Sequence, residues 1–449
     1  MAPKRPLGLG KAAKAKKQKK SEISLEPESS AQESQQPAEF TNELTVELSE
    51  EVNPDDPLAQ LSALWMTWFK SEKDNELILN GIIHECDRIN RNCKQNGGDE
   101  DIELTPEFYA IFGRSLADLA NFHTEEDEDV EAGDEKPEEV SNISDYFENS
   151  LERIEDGLAK FSNSALLLFA KAEIILQRIP LEYISKMDMN SEKKDFPNMH
   201  ELLQESLDTY ESAVKICEQE KNFEMFNNES TLEILNSLDD LLDIIDNFGK
   251  QNSEGLDSDH EESSNEDLDD IIEEVELSKK HPLYKIQNSD KFNSFWRTAS
   301  LKHLSSMNKT EKPNPTLKRK LAKKIGQSYM MEAEEPISIF TTLEYDSDNG
   351  DGEDEEGEIN GLTAAQAQKI AKDLVSTALR FLADSWDEED PQSWVDIAEA
   401  EIMMGNLFEV GSNEQESWYG KAEKKLKKAN NATHGKYDDI LNNLLNQEE

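Results

Sequence analysis

The sequence predicts an all-α body of repeated helix pairs, on three observations. Apolar residues recur at intervals of three and four along most of the chain, no segment gives a persuasive strand alternation, and one helix-sized motif occurs twice. Residues 1–54 stand apart. They are poor in aromatics and rich in Lys, Ser, Glu, Gln and Pro, a mixture that cannot bury enough apolar surface to offset chain entropy, so a disordered basic tail is expected there and a helical body over 55–449.

Order is expected to begin at Asn53-Pro54-Asp55-Asp56-Pro57, where Asp caps and a first-turn Pro precede Leu58, Leu61, Trp65 and Trp68 at helical spacing. A second helix, from about Asn75 to Asn92, carries Leu79, Ile82, Ile83, Cys86, Ile89 and Cys93 on one face, which makes the cysteines small buried apolar residues. Further helices are predicted over Thr105–Phe122, Ser144–Phe161, Ser164–Ile179, Met199–Cys217 and Ser230–Phe248. After a weaker region come Pro315–Met331, Ala364–Ser385, Gln392–Leu407, Ser417–Asn430 and a last piece ending near Leu445. Three acidic intervals, at about 124–141, 250–270 and 344–361, interrupt the pattern. Blocks of like charge repel and stay solvated, so these read as disordered loops; the alternative is a phosphate-like surface for a basic partner.

The twice-used motif is Ala170-Lys-Ala172-Glu173-Ile174-Ile175-Leu176 against Ala398-Glu-Ala400-Glu401-Ile402-Met403-Met404. Each copy is followed by a helix repeating small, bulky and small residues: Ser206, Tyr210, Ala213, then Ala422, Leu426, Ala429. Small residues at those offsets let helices approach closely, as tetratricopeptide-type repeats require. Both copies put Glu where that repeat usually has Tyr. The pair reads as a degenerate repeat and the body as a tetratricopeptide-like superhelix, the alternative being unrelated helices of similar composition.

The formal charge of −51 over 449 residues keeps such a body off nucleic-acid phosphates and anionic lipid and favours basic protein partners. No run approaches the length of a membrane span and no apolar secretory core follows the charged start, so a soluble intracellular protein without membrane contact is expected. Chemistry finds few residues to rest on. The three cysteines form no Cys-x-x-Cys pair, the seven histidines are scattered, and no phosphate loop or nucleophile elbow occurs. His84-Glu85-Cys86 is a compact polar group, but it lies on an apolar helix face and reads first as packing. No catalytic, metal or cofactor-binding residue is assigned, and no enzyme activity or cofactor is expected.

The basic tail concentrates Lys4, Arg5, Lys11, Lys14, Lys16, Lys17, Lys19 and Lys20 with no acid among residues 1–20. Ammonium groups on an extended segment suit the acidic grooves of a nuclear import carrier; no aromatic residue interleaves to stack bases, so import is favoured over direct nucleic-acid binding. A second cluster, Lys318, Arg319, Lys320, Lys323 and Lys324, reads as the wet side of a helix paired to acids of the body.

Three segments, Lys4 to Lys11 (KRPLGLGK), the Leu61-Ser-Ala-Leu64-Trp65 helix with Phe69, and Asn80 to Arg88 (NGIIHECDR), resemble the fungal enhancer-of-translation-termination family. The resemblance implies a nuclear, non-catalytic helical-repeat adaptor that binds a 2-oxoglutarate- and iron-dependent, prolyl-hydroxylase-like oxygenase. It further implies a link to translation termination and to hypoxic transcription, nuclear localisation with possible shuttling to the cytoplasm, and ribosome-associated proteins as a further partner class. No partner-contact residue is carried over. The rival reading is an acidic chaperone for basic clients such as histones or ribosomal proteins, with the acidic intervals as its active elements.

Overall fold

The computed structural model describes residues 53, 56–94, 103–123, 142–249, 277–346 and 357–445. The expected tail, the acidic intervals at about 124–141 and 250–270, and the eight basic residues assigned to import lie outside the described residues, apart from a few positions at the edges. The described residues form two compact units that divide between Lys318 and Arg319.

The first unit contains α1 (Pro57–Lys70), α2 (Glu76–Lys94), α3 (Pro106–Leu119), α4 (Ile143–Lys160), α5 (Ala165–Arg178), α6 (Met199–Glu220), α7 (Glu229–Asp246), the single turn α8 (Tyr284–Gln287), and α9 (Lys291–Met307). α10 (Pro315–Thr341) starts in this unit and continues into the second, which adds α11 (Ala364–Asp384), α12 (Pro391–Gly405), α13 (Asn413–Ala432) and α14 (Asp438–Leu445). Apart from one two-residue hairpin, β1 (Glu358–Ile359) with β2 (Leu362–Thr363), the described regular structure is helical. The all-α prediction holds.

Most starts are written in the sequence. Asp56 accepts from the amides of Leu58 and Ala59, each at 3.1 Å, and Pro57 occupies the first turn, where no amide is needed. Reciprocal capping boxes, Asn142 with Asp145 and Thr363 with Gln366, start α4 and α11, and Ser164 and Ser412 cap α5 and α13.

Neighbouring helices run antiparallel and touch where a side chain is small. Ser150 Oγ of α4 donates to the Gly113 carbonyl of α3 at 2.7 Å, and a Cβ built on Gly113 would fall 2.7 Å from Ile154 Cδ1. Toward the other end of the same pair, Gly157 sits against Tyr109, with Cβ at 2.8 Å and the first ring carbon at 2.9 Å by the same measure. The motif-bearing pair α5–α6 repeats the device: Ser206 Oγ donates to the Ala172 carbonyl at 2.8 Å, and Phe169 meets Tyr210 at 5.4 Å between ring centroids. In α12–α13 the matching residues Ala398, Ala400, Ala422 and Ala429 are fully buried. Both copies therefore fold as helix pairs with the same small residues at the contact.

Three departures from the sequence reading have local causes. The weaker region holds α9, whose Phe292, Trp296, Ala299, His303 and Met307 form a buried stripe at the expected spacing. Buried Ser300, His303 and Ser306 on that helix hid the stripe from a hydrophobicity count. α10 runs ten residues past Met331, through Pro336, because Ala333, Ile339 and Phe340 pack on Ala367, Ala371 and Val375 of α11 and outweigh the backbone bond that Pro removes. The interval expected to be disordered at about 344–361 has structure at both ends: a π turn over Thr342–Asp346, and the hairpin. Asn360 and Gly361, at φ of 52° and 76°, are the Asn-Gly turn that closes it.

Gly113→Ala isolates the packing constraint. In a free helix interior this change is stabilising by about 1 kcal/mol; here the methyl meets Ile154, and a net loss of about 1–3 kcal/mol is expected in urea denaturation.

Candidate partner-binding site

The compact polar group of α2 separates into unrelated parts. Cys86 is fully buried, its thiol pushed far up by burial and by Asp87 and Glu85, whereas His84 is exposed and Glu85 pairs with Arg88 at 2.5 Å. That environment disfavours the thiolate. Burial likewise raises Cys217, to about 11. Among the described residues, no group of three or more His, Cys, Asp or Glu side chains could hold a metal ion, and no helix is long and apolar enough to cross a membrane.

The two glutamates at the repeat's unusual position are both buried, at 5% and 6% exposure, and each has a basic partner. Glu173 Oε2 lies 2.7 Å from Arg114 Nε of α3, out of line for a hydrogen bond, and burial raises its carboxyl against the pull of the guanidinium. One turn along α3, Asp118 accepts from Trp68 Nε1 at 2.8 Å and Gln177 Nε2 at 3.4 Å, and burial raises it too. In the second unit Glu401 takes Lys425 Nζ from α13 at 2.7 and 2.8 Å. These pairs tie helices together and offer no free group to a ligand. The α10 cluster is committed in the same way: Arg319 pairs with Asp387, and Lys323 Nζ lies 2.6 Å from Asp396 Oδ2, as the wet-face reading expected.

Two openings lie along α6 of the first unit. Toward its N-terminus a groove of about 650 Å³ is floored by Leu168 and edged by Glu201, Glu205 and Asp208, with Lys285 across it. The three acids recur at helical spacing on the exposed face, and the nearest cation, Lys171, reaches Glu205 only at 3.8 Å while also 3.5 Å from Glu155. Nearer the C-terminus of α6 a smaller cavity of about 90 Å³ opens against α9, walled by Tyr210, Val214, Phe226, Phe295 and His303. His303 Nε2 lies 2.9 Å from the Phe226 carbonyl and so carries the hydrogen, which leaves Nδ1 an acceptor without a partner. Burial lowers this imidazole to about 4, so it is neutral at physiological pH. Sequence reading missed both features. The acidic stripe was visible as Glu201, Glu205 and Asp208, but its floor and the walls of the cavity come from four separate elements.

The family described as nuclear pore complex subunit Nro1 matches residues 1–445 of this sequence. The chain belongs to the Nro1 family. Relatives similar over nearly the whole chain carry the name Enhancer of translation termination 1. That of Debaryomyces hansenii is 45% identical over 99% of this chain and 100% of its own, and that of Candida albicans WO-1 is 44% identical over 98% and 99%. A solved structure of Nro1, described as a hypoxic regulator of sterol synthesis and a nuclear import adaptor, aligns with a TM-score of 0.49 at 14% identity, covering 88% of this chain and 93% of that one. The family resemblance read from the three short segments is thus shown over nearly the whole length.

The buried Arg114–Glu173 pair supplies a stability test. Arg114→Met leaves an unpaired carboxyl in the core and is expected to lose about 3–5 kcal/mol in chemical denaturation. Arg114→Met combined with Glu173→Met recovers most of that loss.

Proposed function

We propose that the protein is a non-catalytic nuclear adaptor, required for correct translation termination and regulating hypoxic gene expression by binding a 2-oxoglutarate- and iron-dependent, prolyl-hydroxylase-like oxygenase. The observation that carries this reading is the family match from residue 1 to 445, with full-length relatives named for translation termination. The family's description as a nuclear pore complex subunit supports a nuclear site of action. So does the composition of residues 1–20, whose Lys4, Arg5, Lys11, Lys14, Lys16, Lys17, Lys19 and Lys20 suit an import carrier.

The geometry agrees with binding as the mechanism. Antiparallel helix pairs bury their titratable groups in internal pairs and leave helix faces outward, the arrangement by which helical-repeat proteins hold partners. On this reading residues 1–54 direct the complex to the nucleus and the helical pairs hold the partner.

One experiment tests the reading. The tagged protein is purified from its own cells at moderate salt, beside a variant with Lys14, Lys16, Lys17, Lys19 and Lys20 changed to Gln. The wild type is expected to bring down a 2-oxoglutarate oxygenase in near-equal amount and to be nuclear, and the variant to keep the oxygenase but accumulate in the cytoplasm. Recovery of histones or ribosomal proteins alone, lost on adding salt, would overturn the reading in favour of an acidic chaperone.

A further inference from the structure

We propose that the lysine-lined seam of the second unit, where α11 and α13 flank one edge of α12, is a docking site for an extended acidic peptide, a run of about six Asp or Glu residues. Trp394 and Glu401 stand seven residues apart on that edge, and Phe408 follows just past the end of the helix. Each is capped by a lysine from a flanking helix. Lys428 Nζ of α13 lies 4.0 Å from the centre of the Trp394 ring, Lys425 Nζ meets Glu401 at 2.7 Å, and Lys372 Nζ of α11 lies 3.9 Å from the centre of the Phe408 ring. Lys421 adds a fourth ammonium, 3.5 Å from the ring centre of Trp418. Lys421, Lys425 and Lys428, four and then three residues apart, lie on one side of α13, and exposed Lys424 borders them.

What sets these lysines apart is the partner each has found. The chain carries 98 acidic residues against 47 lysines and arginines, so carboxylates are plentiful. Lys425 has one, whereas Lys372, Lys421, Lys424 and Lys428 have no ion pair among the described residues. Lys372, Lys421 and Lys428 rest on aromatic faces instead, in the three closest ammonium–ring contacts among the described residues. A ring quadrupole attracts an ammonium without neutralising it, so the charge is held in place and stays available to an anion. Burial lowers Lys372 from its ordinary value with no acid among the described residues to offset it, a cost that an arriving carboxylate removes.

The helix sets the length of the ligand. From Trp394 to Phe408 the seam runs about 20 Å, the reach of about six extended residues. Exposed acids border it in sequence at both ends, Glu388 and Glu389 before α12 and Glu409 and Glu414 after it, which limits the length of acidic run it accepts. The same rings argue against nucleic acid, because the open faces of Trp394, Phe408 and Trp418 are taken by lysine and are not free to stack bases. A polyanion continuing beyond the seam is also repelled by a chain of net charge −51, whereas a short acidic run keeps its charge among the lysines.

This inference concerns a surface of the second unit and does not depend on the oxygenase reading; loss of that partner in purification would leave it standing. Its test uses the full chain and a fluorescently labelled peptide of six glutamates between Gly/Ser ends, read by anisotropy at low salt. The peptide is expected to bind, and Lys421→Gln, Lys424→Gln and Lys428→Gln together are expected to weaken it at least tenfold. A control with Lys186→Gln, Lys279→Gln and Lys280→Gln, exposed lysines of the first unit, is expected to bind as the wild type does. All six positions are exposed, so thermal melts of both variants serve as the folding check. Absence of binding, a loss in the first variant no greater than in the control, or tighter binding of a labelled oligothymidylate of eight nucleotides than of the peptide would overturn the proposal.

Discussion

The close approach of neighbouring helices is the constraint on which the rest of this structure depends. Gly113 under Ile154, Gly157 under Tyr109 and Ser206 against the Ala172 carbonyl each remove a side chain from the line of contact, so the backbones come close enough for large residues on either side to interlock. Trp68, Phe108, Phe147 and Phe169 are fully buried because those contacts hold the helices at a fixed distance. A helix pair spaced this way has an inner face without slack and an outer face free to vary. The acids Glu201, Glu205 and Asp208 of α6 lie on that outer face, while the residues of the same helix that touch α5 are small or interlocked.

Buried polar groups mark where the inner faces are specific rather than merely apolar. Asp118, Glu173 and Glu401 sit among apolar neighbours, and burial holds the first two carboxyls above their ordinary range. Each is met by a partner on another helix: Trp68 and Gln177, Arg114, and Lys425. Replacing such pairs by apolar residues is often neutral for stability, so their contribution here is to register, since only one alignment of the helices brings the charges together. His303 differs, because one of its nitrogens is matched and the other is not.

Where a capping residue and a clean apolar stripe coincide, as in α1, α3, α11 and α12, the helix was legible from the sequence almost to its ends. α9 was not, because buried Ser300, His303 and Ser306 lie among its apolar contacts, and periodicity weighs them as surface residues. The hairpin at Asn360–Gly361 carried its turn signal, yet two-residue strands are too short to show alternation. The repeated motif was visible as paired alanines, and its glutamates looked like a defect in a known pattern until their partners were seen. The site was less legible than the fold. An acidic stripe on one helix resembles any solvated face, and a cavity built from residues as distant as Tyr210, Phe226 and His303 leaves no local trace.

The two buried glutamates also differ in how self-contained their helix pairs are. Glu401 finds Lys425 on the second helix of its own pair, so that acid is neutralised within α12–α13. Glu173 depends on Arg114, which belongs to α3 and stands outside the α5–α6 pair. Repeat arrays grow and shrink in evolution by gene duplication and loss of whole units. A duplicated α5–α6 would arrive with Glu173 orphaned in its core, and a duplicated α12–α13 would keep Glu401 paired but leave buried Asp396 without Lys323, which belongs to α10. Each pair therefore leans on one basic residue of an earlier helix, and copying either pair alone would leave a buried acid without its cation.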